Sequence, residues 1–330
     1  NYNSFAGHGT GYYVTGSSNT GFGARALGYN ASGASGSYNT ALGDSALYNN
    51  TSADNNTAVG HLAAYSNTVG SNLTAVGRVA LYANTSGASN SAVGYGALNS
   101  NTTGSFNTAL GEFALVSNTT ASNNTAVGYQ AGYSNTTGDV NVFMGRQAGY
   151  GNTTGAANNS FGDLALYTNS TGASNNAFGR QALYFNSTGN YNTALGHTAL
   201  YFNTTASNNT AVGYQAGYSN TTAGVNTAIG AQALYSNQTG DGLVAVGKGA
   251  LYSNTASNNT AVGYVALNAN TSGTANTALG YGALVANTTA SYNTAVGYQA
   301  GYSNTTGGYI TALGDRKSTR LNSSHVALSR

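Results

Sequence analysis

The 330-residue sequence has no cysteine, no proline and no tryptophan, a single methionine, and only 5% charged residues. Without cysteine there is neither a disulfide framework nor a thiolate zinc site. No apolar run approaches the ~20 residues that a membrane-spanning helix requires. Leucine, isoleucine, valine and phenylalanine together supply about one residue in six, less than packed globular cores contain. So few large apolar groups would ordinarily accompany disorder, but disorder also calls for high net charge, and the formal net charge is only +2. What is present instead is 47 glycines and 26 tyrosines among many Asn, Thr, Ser and Ala. That composition argues against a compact enzyme.

The residues are arranged as a tandem repeat, and the repeat decides the architecture. A glycine closing strings such as TAVG or TALG recurs from Gly7 to Gly314 with 18 intervals, 15 of them 17 residues long. From Gly23 to Gly297 the third residue after this landmark is always Ala, as in Ala46 and Ala131, and the seventh is always Asn, as in Asn50 and Asn135. The residue before the landmark is large and apolar from Phe22 to Leu313. After Gly314 the register ends. Asp315–His325 reads DRKSTRLNSSH and resembles a translated sequencing adapter, so residues 315–330 are expected to be a non-native, disordered tail. The tail carries Arg316, Lys317, Arg320, Arg330 and Asp315. Without it the array holds five basic and six acidic residues, a net charge of −1. No basic stripe remains for nucleic acid. The start at Asn1, in mid-repeat and without Met, reads as a fragment.

A unit of 17 residues is too short for the two-helix repeats of helical solenoids. It suits one coil of an all-β parallel β-solenoid or β-roll, about 18 coils over residues 1–314 with irregular coils over 1–43. Two or three short strands per coil are expected, joined by Asn- and Gly-rich turns. The apolar residue before the landmark and the later Ala-Leu pair are the candidates for a buried stripe. Coils would stack at ~4.8 Å, and the recurring Ala and Gly would let neighbouring chains approach closely.

The strings NTALG (Asn39–Gly43), NTAVG (Asn124–Gly128) and TAVGYQAGYSNTTG (Thr125–Gly138) resemble the YadA-like head repeats of trimeric autotransporter adhesins and related bacteriophage tail-fibre repeats. The resemblance covers nearly all of Asn1–Gly314, although the coil is longer than the usual head repeat and richer in Tyr. It implies a left-handed roll and a trimer on a bacterial cell surface or virion. Its partners would be a host surface or extracellular matrix, carbohydrate included.

Candidate sites are rows. Of the 17 Asn at the seventh position, 15 lie in N-glycosylation sequons. The candidate acceptors are Asn84, Asn101, Asn118, Asn135, Asn152, Asn169, Asn186, Asn203, Asn220, Asn237, Asn270, Asn287 and Asn304. A row of sequons at one phase would make one edge glycosylated, although Asn-Thr-Thr-Gly is also simply a good turn and a stacked Asn ladder, with the sequons following from composition. Tyr recurs at the fifth position, and Tyr133, Tyr150, Tyr167, Tyr184, Tyr201, Tyr218, Tyr235 and Tyr252 form a candidate surface-binding ladder. An ice-binding edge fares worse, because the adjacent Thr of Asn-Thr-Thr point to opposite sides. Catalysis finds no recurring pair of titratable groups: Asp44, Asp54, Glu112, Asp139, Asp163 and Asp241 and His8, His61 and His197 read as scattered surface groups. No GGxGxD calcium repeat occurs, and Gly-x-Gly strings such as Gly21–Gly23 lack a βαβ context. The expectation is a non-enzymatic extracellular adhesin or tail-fibre segment without cofactor or metal. The alternative is a structural fibre with a glycosylated or ice-facing edge.

Overall fold

A computed structural model of the chain describes residues 2–28 and 34–314; the expectation for residues 315–330 lies outside them. Two compact units divide the chain, Asn1–Asn192 and Thr193–Arg330, and each is a parallel β-solenoid. Among the described residues, eleven strands from β1 (Ser4–Ala6) to β11 (Asn176–Phe178) build the first unit, and eight from β12 (Thr193–Leu195) to β19 (Thr311–Leu313) the second. Within a unit each strand pairs in parallel with the equivalent residues of the next coil. Thr57, Ala58 and Val59 pair with Thr74, Ala75 and Val76, and Thr210, Ala211 and Val212 with Thr227, Ala228 and Ile229.

Each coil holds one strand of three residues, which corrects the expectation of two or three. The rest of the coil is a string of turns tied to the next coil by backbone hydrogen bonds, such as Leu81 N–H to Ala97 O at 3.0 Å and Thr85 N–H to Thr102 O at 2.9 Å. Left-handed backbone ends the extended run. The landmark Gly111 has φ 140°, and a Cβ there would lie 2.5 Å from Gly128 O of the next coil, so only glycine serves. Less expected is the leucine of the Ala-Leu pair, which is also left-handed: Leu47, Leu81 and Leu98 all have φ 51°. Such a conformation costs an L-residue roughly 1–2 kcal/mol, and these side chains are fully buried, which returns about 1.5–3 kcal/mol.

The interior is narrow. It is lined by the mid-strand Ala, the Ala three residues past the landmark and the Leu beside it. The apolar residue before the landmark, expected inside, points out. In β3 (Thr40–Leu42) and β7 (Thr108–Leu110) the middle Ala is buried while Leu42 and Leu110 are exposed. A three-residue strand has one inward position, and the interior accommodates Ala there. Phe143, in the middle of β9 (Val142–Met144), is the exception and is buried. Its ring fills the space left where the leucine row is interrupted: a Cβ on Gly132 would meet Phe143 Cδ2 at 2.6 Å, and one on Gly149 would collide with Cδ1. Gly217 interrupts the same row, and there Leu200 leans in: a Cβ on Gly217 would meet Leu200 Cδ2 at 2.9 Å. A cavity of about 10 Å³ lies there, lined by Leu200, Gly217, Leu234 and the amides of Asn209, Asn220, Asn226 and Asn237.

Candidate functional site

Because equivalent residues stack coil upon coil, every surface feature within a unit is a row, and each candidate can be placed by its row.

The sequon asparagines face inward. Asn84, Asn101, Asn118, Asn135, Asn152, Asn169, Asn186, Asn203, Asn220, Asn237, Asn270 and Asn287 are all buried. Asn304, in the last described coil, is partly covered. Each Nδ2 is committed. Asn135 Nδ2 donates to Asn118 Oδ1 at 2.9 Å and to Gly138 O at 3.0 Å, and Asn152 repeats this with Asn135 Oδ1 at 2.7 Å and Gly155 O at 2.9 Å. A glycan replaces one of that nitrogen's two hydrogens, so it would remove one of the two bonds, and it could not leave the interior. The folded coil therefore excludes the glycosylated edge, and the row is a buried amide ladder. A second buried ladder lies four residues before the landmark, where Asn141 and Asn158 each donate a backbone N–H to the Oδ1 of the preceding Asn at 2.8 and 2.9 Å. The coil containing Asn254 is one residue shorter, and Asn254 Nδ2 reaches Ala256 O, two residues on, at 2.6 Å.

The tyrosine ladder is half-buried. In the first unit Tyr133, Tyr150, Tyr167 and Tyr184 stack at 5.0, 5.1 and 5.1 Å. In the second, Tyr201, Tyr218, Tyr235 and Tyr252 stack at 5.3, 5.1 and 4.9 Å. Within each run one ring covers the face of the next, which leaves hydroxyls and edges for contact. Burial first, then the neighbouring phenols, pushes Tyr150 and Tyr235 above the usual tyrosine pKa.

The charged residues are also ordered, in two rows that counting from the landmark would have revealed. Asp44, Arg78, Glu112, Arg146, Asp163, Arg180 and Lys248 all follow the landmark directly, as do His8, His61 and His197. Neighbours along this row interact: Arg146 Nε lies 2.7 Å and Arg180 Nε 3.5 Å from Asp163, and Arg78 lies over the Tyr95 ring at 5.5 Å. These exposed pairs are worth about 0–1 kcal/mol each. Tyr264, Tyr281 and Tyr298 occupy the same position in the second unit and stack at 5.2 and 5.1 Å. Asp54, Asp139 and Asp241 sit six residues before the landmark, where their carboxylates accept the backbone N–H of Ser37, Ser122 and Gly224 at 2.7, 2.6 and 2.6 Å. In other coils a serine hydroxyl does this, as Ser105 does for Ala88 N–H at 3.0 Å. Among the described residues no three His, Asp or Glu side chains gather as a metal site requires, and no helix is long and apolar enough to cross a membrane.

The outer face of the sheet is the feature that sequence reasoning missed. None of the strands from β1 to β19 contains a charged residue. The first and third residue of each strand point outward, giving a Thr-rich row beside an apolar row. Phe22, Leu42, Leu110, Met144 and Phe178 remain 36–60% exposed in the first unit, and Leu195, Ile229 and Leu279 are likewise exposed in the second.

No family model, no curated protein and no solved structure matches the chain.

Proposed function

We propose that the chain is a segment of a non-enzymatic surface fibre, the stalk or head of an attachment fibre of the trimeric adhesin or phage tail-fibre kind, working outside the cell on a bacterial surface or virion. The observation that carries this reading is the charge-free, partly apolar outer face of the sheet. Soluble monomers rarely leave so long an apolar strip uncovered. At ~150–200 Å² per large side chain, the two outward rows of the first unit offer on the order of 1,000 Å² to a partner. A stable interface needs about 800 Å² per side, with few charges at its centre. A copy of the same chain presents the same row at the same coil spacing, so copies side by side can cover the strip in register. The resemblance of the repeats implies three copies and a left-handed roll.

Such a fibre would act mechanically: a stack of coils holds many weak sites in one line, and avidity makes attachment firm. Fluorescent beads coated with the full chain should adhere to bacterial, fungal or animal cells well above beads coated with albumin. Failure to adhere to any of them would overturn the attachment role. A second reading is favoured by one observation. The outward Thr193, Thr210 and Thr227 repeat in register from coil to coil, each two residues from an outward aliphatic neighbour, a regular row of the kind an ice-facing surface would require. Thermal hysteresis of the full chain would support that reading, and its absence would remove it.

A further inference from the structure

Five residues before each landmark glycine runs another left-handed row. In the first unit it includes Ser18, Tyr38, Asn55, Ser89, Phe106 and Asn123, with φ between 55° and 60°. Asn and Ser are inexpensive choices there, whereas a bulky residue is a genuine outlier. The leucines that share this conformation recover its cost by burial. Tyr38, Phe106 and Tyr191 recover nothing from the fold, being 65%, 63% and 66% exposed, and Val140 of the same row, left-handed at 60° and 57% exposed, shares this cost without a ring to offer. Strained, exposed aromatic residues that the fold does not use point to a role outside it.

The surroundings say what that role is. Tyr38 stands in the row between Ser18 and Asn55, and Phe106 between Ser89 and Asn123; Tyr191 follows Ser174, also left-handed at 57°. The coils stack directly here, with Phe106 N–H on Ala88 O and Asn123 N–H on Ser105 O, both at 3.0 Å. In the same row of the second unit Tyr292 and Tyr309 stack at 5.1 Å with planes 12° apart, so rings at this position turn their faces along the row. Short neighbours leave both faces of Tyr38 and Phe106 open, unlike those of the tyrosine ladder. Asp54 and Asp139, each one residue before this row, are turned to the backbone N–H of Ser37 and Ser122.

We propose that Tyr38, Phe106 and Tyr191 are binding platforms for a neutral polysaccharide. The apolar face of a pyranose would stack on each ring, and the flanking Ser hydroxyl and Asn amide would bond its hydroxyls. Tyr38 and Phe106 are four coils apart and Phe106 and Tyr191 five, roughly 19 and 24 Å at ~4.8 Å per coil. With ring faces turned along the row, a sugar stacked on each ring lies across the row, so separate segments of a dense polysaccharide can occupy all three at once and bind by avidity. The proposal rests on the attachment reading and names its ligand class.

The test is affinity electrophoresis of the full chain in gels containing hydroxyethyl cellulose, laminarin, mannan or glycol chitin. The wild type is compared with Tyr38→Asn, Phe106→Asn and Tyr191→Asn, singly and combined. Asn is native to this row, so the coil should persist, as circular dichroism would show. At least one polysaccharide should retard the wild type; each single variant should bind about 2- to 10-fold more weakly, and the triple variant should migrate freely. No retardation of the wild type, or equal retardation of the triple variant, overturns the proposal. If coated beads of the triple variant adhere as well as wild type, attachment stands and the saccharide site alone fails. If the triple variant instead loses adhesion to protein-coated beads, the rings are contacts for a protein and the saccharide proposal is overturned.

Discussion

Replacing Phe143 by Ala should expose how the interior is filled. The ring is buried and fills a gap made by two glycines in the leucine row. Large-to-small changes of Phe in a core cost about 3–5 kcal/mol, more where the walls cannot collapse. Here two walls are glycines with no side chain to move in, so the expected loss lies near the upper end, about 4–5 kcal/mol. The compensation is equally specific. Leu115 and Leu166, the row neighbours of Gly132 and Gly149, have φ 50° and 52°, and the glycines themselves 60° and 61°. Leucine can therefore enter either glycine position without a change of backbone. With Phe143 in place, Gly132→Leu should clash and cost about 1–3 kcal/mol; with Ala at 143 it should stabilise. The triple change Phe143→Ala, Gly132→Leu, Gly149→Leu restores the usual coil pattern and should recover most of the loss. Urea denaturation followed by circular dichroism, with hydrogen exchange of the amides of residues 131–149 to localise the effect, supplies the double-mutant cycle. A cost below about 1 kcal/mol for Phe143→Ala, or a triple variant no more stable than the single one, would refute the packing argument.

Three other outcomes are expected. Gly217→Leu would seat a Cβ 2.9 Å from Leu200 Cδ2 beside a cavity of only about 10 Å³; it should overpack the interior and lower stability by about 1–3 kcal/mol in the same urea assay. Asn152→Asp replaces a buried donor by an acceptor facing Asn135 Oδ1 and Gly155 O, and should cost about 3 kcal/mol or more near neutral pH, read as a lower denaturation midpoint. Thermal melts should be insensitive to tyrosine ionisation below pH ~10 and fall above it. The raised folded pKa of Tyr150 and Tyr235 means that the unfolded chain ionises first, so stability present below the unfolded value is lost as pH rises through the folded one.

The repeat made the period, the strand positions and the Ala-Leu stripe legible, since each recurs in nearly every coil. The direction of Val59 or Leu110 was not legible. Alternation in Thr-Ala-Val puts Ala on the opposite side from the other two, and size alone argues for Val inside; the narrow interior reverses the choice. That the Asn stack as a ladder was legible from their common phase; that the ladder is buried was not, because its partners, Asn118 Oδ1 for Asn135 for example, lie 17 residues away and close over it only once coils stack. The left-handed leucines were invisible to propensity, which disfavours them. The order of the charges was available: counting Asp44, His61, Arg78, Arg146 and Lys248 from their landmark glycines places them in one row.

The central claim is that copies of this chain cover one another's charge-free sheet face. Light scattering of the full chain after size-exclusion chromatography tests it most directly. Three times the 33.0 kDa chain mass, unchanged on dilution, is the predicted result. A folded particle of one chain's mass, with its sheet face left to water, would contradict it.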